Sequence, residues 1–343
     1  VHGYLGGQAG AGAMLEVLTG WQNPCGKLAE TIPLRYEDTP AARYFPGKKQ
    51  NAEYREGLYI GYRYYETANK AVRYPFGYGL SYTTFAYSDL KVNAEKVTFT
   101  ITNTGSVAGA EIAQLYVAKP DAAVFRPAKE LKGFAKVFLK AGESKAVTIP
   151  LDDKTFRYWN VATDSWEVEG GRYQLLVGAN VQDIRLTADI TLPGTGAPDP
   201  YAGKDLAHYR TAHVQEVPDA EFEALLGRPL PEETTAIDRT MTLGELNHSR
   251  SPLCWLIAGV LTLLVRSGEK NGKPNLNILF QYNMPLRGLA QMTGGIIGEE
   301  TVDGLVMEAK GFWVIGILRA LVGLLQNFVA NSRYQAKLDE QSR

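Results

Sequence analysis

The 343-residue sequence is poor in cysteine and histidine and has no excess of charge of either sign. Its two cysteines, Cys25 and Cys254, lie far apart in segments of unlike character. That excludes a disulfide ladder and a thiolate metal-ligand spacing, and reduced thiols are expected. His2, His208, His213 and His248 are scattered, and even His208 and His213 miss the i,i+4 spacing that sets two imidazoles on one helix face. No metal site and no cofactor site are expected. With 36 basic against 37 acidic residues, there is no net field to attract the phosphates of nucleic acid. The opening Val1-His2-Gly3-Tyr4 carries neither an initiating methionine nor a basic region followed by an apolar run, so an upstream stretch of polypeptide is expected. The absence of an export signal and the sparse cysteines together read as cytoplasmic.

What is present is ordinary for a globular protein: 21% charged and 45% apolar residues, in a chain long enough for two or three domains. Residues 6–14, rich in glycine and alanine, lead into Leu15-Glu16-Val17-Leu18-Thr19-Gly20. This reads as a glycine turn, a short helix with Leu15 and Leu18 inward, and a glycine stop, which implies a strand-turn-helix crossover. Its spacing fits neither the lysine-bearing phosphate loop nor the dinucleotide fingerprint, and tight packing is the stronger reading. Asn23-Pro24-Cys25-Gly26 is turn chemistry feeding an extended run over 28–33.

Residues 54–66 and 74–85 are dense in tyrosine and glycine. Rings beside glycine suit sugar stacking, since a ring face meets the apolar face of a pyranose where backbone approaches closely. The commoner outcome for tyrosines at strand positions is to fill a sheet interface. Glu56 and Arg63 carry the same two readings, catalytic or ion-paired, and are assigned no catalytic role.

From Val97 the chain alternates as a half-buried strand, with Val97, Phe99 and Ile101 on one face. Further strands are predicted over 111–118, 129–139, 145–151, 155–159, 166–169, 173–178 and 185–192, with turn residues at the intervals of an antiparallel sandwich. Phe125, Tyr158, Trp159 and Trp166 would make a stacking platform in a carbohydrate-binding module, although packing is the stronger reading of the tryptophans. The apolar loop tip at Val124, Phe125 and Arg126 is a candidate for a place near an active-site mouth.

Four motifs stand in sequence: Gly7-Gln8-Ala9-Gly10-Ala11, Asn23-Pro24-Cys25-Gly26-Lys27-Leu28, Glu56-Gly57-Leu58-Tyr59-Ile60-Gly61-Tyr62-Arg63-Tyr64-Tyr65, and Pro75-Phe76-Gly77-Tyr78-Gly79-Leu80-Ser81-Tyr82-Thr83-Thr84-Phe85. In this order they resemble the closing third of the α/β sandwich domain of family-3 glycoside hydrolases of the β-glucosidase type. Asn103-Thr104-Gly105-Ser106, Gln114-Leu115-Tyr116-Val117, Arg126-Pro127-Ala128-Lys129-Glu130-Leu131-Lys132-Gly133-Phe134 and Gly142-Glu143-Ser144 resemble the fibronectin type III-like domain that follows it.

The fold class expected is an α+β multidomain chain. It comprises a partial α/β sandwich over 1–86, an antiparallel β-sandwich of fibronectin type III or immunoglobulin-like kind over 87–195, a linker over 196–240, and an α-helical C-terminal extension over 241–343. In the last, Thr242-Leu243-Gly244-Glu245 has capping-box spacing, Ser251-Pro252 sets an N-cap and first helical position, and helices are predicted over 285–292 and 299–310. Two apolar runs, 253–265 and 312–330, raise the question of a membrane. The first is shorter than the roughly 20 residues a bilayer core requires. The second is interrupted by Arg319, Gln326 and Asn327, so a buried or docked helix, in this enzyme or in a homo-oligomer, is the expected role.

The resemblance implies retaining hydrolysis of β-glucosides or related oligosaccharides, one carboxylate attacking the anomeric carbon while another protonates the leaving oxygen. It also places the nucleophilic aspartate in a preceding barrel domain, in a Ser-Asp-Trp-like context, and the acid/base glutamate in an earlier part of the sandwich. Neither context occurs here: Ser88-Asp89-Leu90 lacks the tryptophan, and Asp164-Ser165-Trp166 belongs to the β-domain. No residue of this chain is therefore assigned as catalytic, and alone it is expected to be inactive, finishing and bracing an active site. The alternative is a non-catalytic carbohydrate-binding or assembly module.

Overall fold

A computed structural model describes all residues except 46, 48–50, 232–235 and 342–343. The chain divides into two compact units, the first Val1–Pro46 with Glu53–Leu230, the second Gly47–Ala52 with Pro231–Arg343. The division falls inside the expected linker of 196–240.

The centre of the first unit is a β-sandwich. One sheet runs β3 (Phe85–Val92), β4 (Lys96–Asn103), β7 (Ser144–Pro150); the other runs β11 (Ile184–Leu192), β10 (Gly171–Gly178), β5 (Gly109–Ala118), β6 (Glu130–Leu139). All pairings are antiparallel. Alternation explains the core: Val97, Phe99 and Ile101 from one sheet meet Ala113, Leu115, Val117, Tyr173, Leu175 and Val177 from the other. Fully burying each large apolar side chain contributes about 1.5–3 kcal/mol before entropy is charged. At Gly133 the sheets approach so closely that a Cβ would stand 2.5 Å from Ile149 Cγ2. The predicted strand over 155–159 is a turn for its first half, because Asp152 accepts from the Lys154 amide and the Thr155 hydroxyl. The strand begins only at β8 (Tyr158–Asn160), which pairs with β9 (Ser165–Glu167) as a separate two-stranded hairpin.

The described residues before β3 form little regular structure. α1 (Gly10–Leu18) is helical as expected, but Leu15 and Leu18 are 60% and 64% exposed, not inward. Helical spacing defines a stripe without supplying the surface that covers it. Among the described residues no strand precedes α1. The extended run keeps two ladder residues, β1 (Ile32–Pro33), paired with β2 (Val72–Tyr74). The tyrosine-rich stretch is a helix, α2 (Tyr62–Thr67), with Tyr64 and Tyr65 buried.

Residues 201–226 are not a bare linker. α3 (Ala207–Thr211) and α4 (Asp219–Leu226) bury Leu206, Tyr209, Val214, Val217 and Phe222 against Tyr59, Tyr64 and Tyr65. Arg55 clamps this second core: its guanidinium lies over the rings of Tyr44 and Phe222, donates to the Val217 carbonyl at 2.8 Å, and pairs with Glu53 and Asp219 at 2.6 Å each.

The second unit is helical. The Thr242–Glu245 capping box closes reciprocally, Glu245 N donating to Thr242 Oγ1 at 3.2 Å and Thr242 N to Glu245 Oε2 at 2.9 Å, although it opens only a short 3₁₀ turn. α5 (Pro252–Lys270) starts as predicted, with Ser251 accepting from the Cys254 amide. α6 (Leu276–Asn283), α7 (Leu286–Met292), α8 (Glu299–Ala309) and α9 (Trp313–Gln341) follow. α8 and α9 touch backbone to backbone: a Cβ at Gly304 would overlap the Ala320 amide, and one at Gly323 the Thr301 amide. Arg319 turns toward α8, to Glu300 at 2.9 Å and Asp303 at 2.8 Å.

The two apolar runs are not buried helices. α5 and α9 are long and apolar enough to cross a membrane by length and composition, and only 11% of each apolar stretch is buried. The core of this unit is built by one edge of α5 together with α7 and α8.

Candidate functional site

The aromatic-glycine segment is held against the β-sandwich by specific bonds. Tyr62 Oη accepts from the Leu131 amide at 2.8 Å, and Thr67 Oγ1 from the Ala128 amide at 2.9 Å. Glu66 pairs with Lys129 at 3.1 Å and accepts from Gln182 Nε2 at 2.8 Å, while Arg63 pairs with Glu130 at 3.4 Å. Gln114 Nε2 donates to the carbonyls of Gly77, at 3.2 Å, and Ala179, at 2.8 Å. Gly77 is required here: its φ is +78°, and a Cβ would overlap the Gln114 amide group. Lys27 adds an ion pair to Glu111 at 2.9 Å, both side chains largely buried.

The tyrosines mostly pack. Burial pushes the Tyr64 and Tyr65 phenols up to about 12. Tyr59 is fully buried and donates its hydroxyl to the Tyr209 carbonyl at 2.5 Å. The loop carrying Val124, Phe125 and Arg126 does not present an open apolar tip. Phe125 is 8% exposed, stacked between Tyr201 (4.5 Å between centroids), Tyr209 (5.7 Å) and Tyr59 (6.3 Å).

The proposed stacking platform therefore splits. Phe125 is inside, and the Tyr158 ring lies under the Arg126 guanidinium at 5.3 Å. Trp159 and Trp166 are half-exposed, directly opposite one another on β8 and β9, edge to face at 5.4 Å. Arg157 covers the Trp166 ring at 4.4 Å. The cross-strand indole pair holds the short hairpin, so these tryptophans close no sandwich core.

The carboxylates noted in the sequence lie apart in the fold. Glu56 is buried in the turn before α2, its Oε2 without a hydrogen-bond partner. Asp89 sits at the irregularity of β3, where the Ser88 hydroxyl holds its carboxyl below the usual range. Asp164 occupies the left-handed position of the β8–β9 turn. His208 Nδ1 meets Glu221 at 2.6 Å and His213 meets Thr211 at 2.8 Å, so the two imidazoles serve different partners. Among the described residues no group of three or more His, Cys, Asp or Glu is placed to hold a metal ion. The sequence reading missed Lys119, whose side chain is only 2% exposed. The signal was the alternation Ala113, Leu115, Val117, which puts residue 119 on the core-facing side.

Comparison with known proteins agrees with this layout. Residues 1–82 match the family model of the glycosyl hydrolase family 3 C-terminal domain, and residues 111–181 that of the fibronectin type III-like domain. The chain is 41% identical over 314 residues to thermostable beta-glucosidase B of Acetivibrio thermocellus, covering 89% of this chain and 37% of that protein. It is 46% identical over 205 residues to the exo-alpha-(1->6)-L-arabinopyranosidase of Bifidobacterium breve, covering 58% and 27%. Among solved structures, the GH3 beta-glucosidase of Bifidobacterium adolescentis aligns with a TM-score of 0.54 at 40% identity, over 73% of this chain and 32% of that one. The beta-glucosidase of Kluyveromyces marxianus in complex with glucose aligns with a TM-score of 0.52 at 40% identity, over 53% and 23%. The chain thus comprises a C-terminal region of glycosyl hydrolase family 3. It spans 23–37% of the length of these relatives.

Proposed function

We propose that this chain is the C-terminal part of a retaining glycoside hydrolase of the β-glucosidase type, which completes and braces the active site without carrying the nucleophile or the acid/base. The observation that carries this reading is the clamping of the motif-bearing segment onto the β-sandwich through Tyr62, Thr67, Glu66, Arg63 and Gln114. Retaining chemistry needs two carboxyl groups about 5–5.5 Å apart, facing one sugar. Four carboxylates of this region are tied to cations, Glu66 to Lys129, Glu130 to Arg63 and Lys132, Glu111 to Lys27 and Glu53 to Arg55, while Glu56 is buried with its Oε2 unpartnered. Carboxylates tied to cations in this way fix backbone geometry, which is what positioning a neighbouring catalytic pair requires. The substrate class is a glycoside; the relatives' names cover both a β-glucosidase and an α-L-arabinopyranosidase.

An aryl β-glucoside assay of this chain, run beside glucose titration by calorimetry, tests the reading. No turnover is expected, and turnover by the chain alone would overturn the assignment of the carboxylates. A second reading, carbohydrate binding without catalysis, is favoured by the half-exposed Trp159 and Trp166. Saturable sugar binding that is lost in Trp159→Ala, without turnover, would decide for it.

A further inference from the structure

α9 carries two seams of opposite character. Gly316, Ala320, Gly323 and Asn327 lie against α8 and the Gly298 that precedes it, so closely that a Cβ on Gly316 would overlap the Glu308 backbone. Small residues there let the two backbones meet. On the other side of the helix stand Val314, Leu318, Leu321, Leu325 and Phe328, each between 52% and 72% exposed. Ile315, Ile317, Val322 and Val329 flank them and are also exposed. The polar groups that interrupt this run in the sequence point elsewhere. Arg319 is held by Glu300 and Asp303, and Asn327 Nδ2 donates to the Gly295 carbonyl at 2.8 Å.

The outward seam steps alternately by four and three residues. That is the 3.5-residue period of a helix facing another helix, in which each large side chain enters a hole between residues of the partner. Beside the seam an open groove of about 700 Å³ is lined by Ile296, Leu321, Leu325 and Phe328, with Ser332 and Gln335 on its polar margin. The nine outward residues leave on the order of 1,000 Å² of apolar surface bare. The largest patch on an ordinary monomer is about 300–600 Å², and each partner in a standard interface contributes about 800 Å². A bilayer suits this face poorly. The polar backing of α9 is α8, where Arg239 and Arg319 are spent on Glu299, Glu300 and Asp303. A helix lying on a membrane needs a basic face toward the headgroups, and insertion would carry those three carboxylates into hydrocarbon. A seam without charge is, by contrast, complementary to itself, which is the condition for a two-fold interface.

We propose that the outward seam of α9 is a homodimer interface, α9 of one copy packing against α9 of a second copy about a two-fold axis. The test uses the full chain. Sedimentation equilibrium at micromolar concentration is expected to give twice the chain mass. Leu321→Glu combined with Leu325→Glu should raise the dissociation constant at least about a hundredfold, because each copy then places unpaired carboxylates in the seam. Circular dichroism checks that the variant keeps its helices. Should it unfold, the unsubstituted chain decides: hydrogen exchange of peptides covering 313–330 should slow as chain concentration is raised through the dissociation constant, and exchange that ignores concentration would overturn the proposal. A chain that stays monomeric at micromolar concentration would overturn it too. So would a dimer that the folded double variant leaves intact, or a monomer that floats with phosphatidylglycerol vesicles, which would give the face to a bilayer.

Discussion

Replacing Phe125 by alanine should loosen the return of the chain onto the aromatic segment while sparing the sandwich. The ring is 8% exposed and lies against Tyr59, Tyr201 and Tyr209. Buried Phe→Ala substitutions cost about 3–5 kcal/mol, which already includes the lost ring contacts and the cavity left behind. Two of the three stacked partners, Tyr201 and Tyr209, belong to the stretch that carries α3 and α4, so the loss falls on that stretch's attachment. A penalty of this size multiplies the population of the locally open form by roughly 10²–10⁴. Hydrogen exchange read by mass spectrometry resolves it: peptides covering 207–226 should lose protection by that factor. Peptides covering β4 and β5 should change little, because their core lies between the two sheets. Phe125→Leu should recover part of the protection by refilling volume without the stacking. If the 207–226 peptides keep their protection while β4 and β5 lose theirs, the aromatic stack is not what holds this segment and the reasoning fails.

Gly304→Leu should destabilise the second unit by about 3 kcal/mol, the upper end of the usual cost of overpacking, since the new side chain meets the Ala320 backbone, which cannot move aside alone; an unchanged helical melting transition by circular dichroism would contradict that packing. The thiols should react unequally: Cys254 is buried, desolvation and the Glu308 carboxylate push its thiol up to about 12, and at pH 8 only Cys25, half-buried, should react rapidly with an aromatic disulfide reagent. Two fast equivalents per native chain would be inconsistent with the structure. Because that folded value lies above the unfolded value of 9.0, the Cys254 contribution is intact below about pH 9 and is lost as pH rises toward 12. Truncation after Leu230 should change oligomeric state or solubility, because the largely uncovered apolar faces of α5 and α9 are removed with the second unit; identical sedimentation and solubility would argue against a docking role for the tail.

The β-sandwich was legible in the sequence because a strand with one buried face writes its burial pattern into every second residue, as at Val97, Phe99 and Ile101. The same rule places Lys119 on the core face, yet its charge argued the opposite, and only the fold shows that register prevailed. α2 escaped the reading because six residues rich in tyrosine carry a strand-like composition. What holds them helical is distant in sequence, the Leu131 and Ala128 amides meeting Tyr62 and Thr67. Phe125 read as an exposed loop tip for a similar reason: its partners Tyr201 and Tyr209 lie in a stretch whose prolines and polar residues resemble a linker. For α9 the apolar run was evident, but sequence could not show that Arg319 is spent on α8 while the remaining surface stays uncovered.

The beginning of α5 has a consequence for how the helical unit comes apart. Ser251 Oγ accepts from the Cys254 amide and donates to Glu308 Oε1, and Cys254 Sγ donates to Glu308 Oε2 at 2.8 Å. One carboxylate at the end of α8 thus closes the first turn of a helix whose Ser251 and Cys254 precede it by 57 and 54 residues. Fraying at either terminus strips the other of its polar partner, so the two helix ends melt as one event rather than in succession.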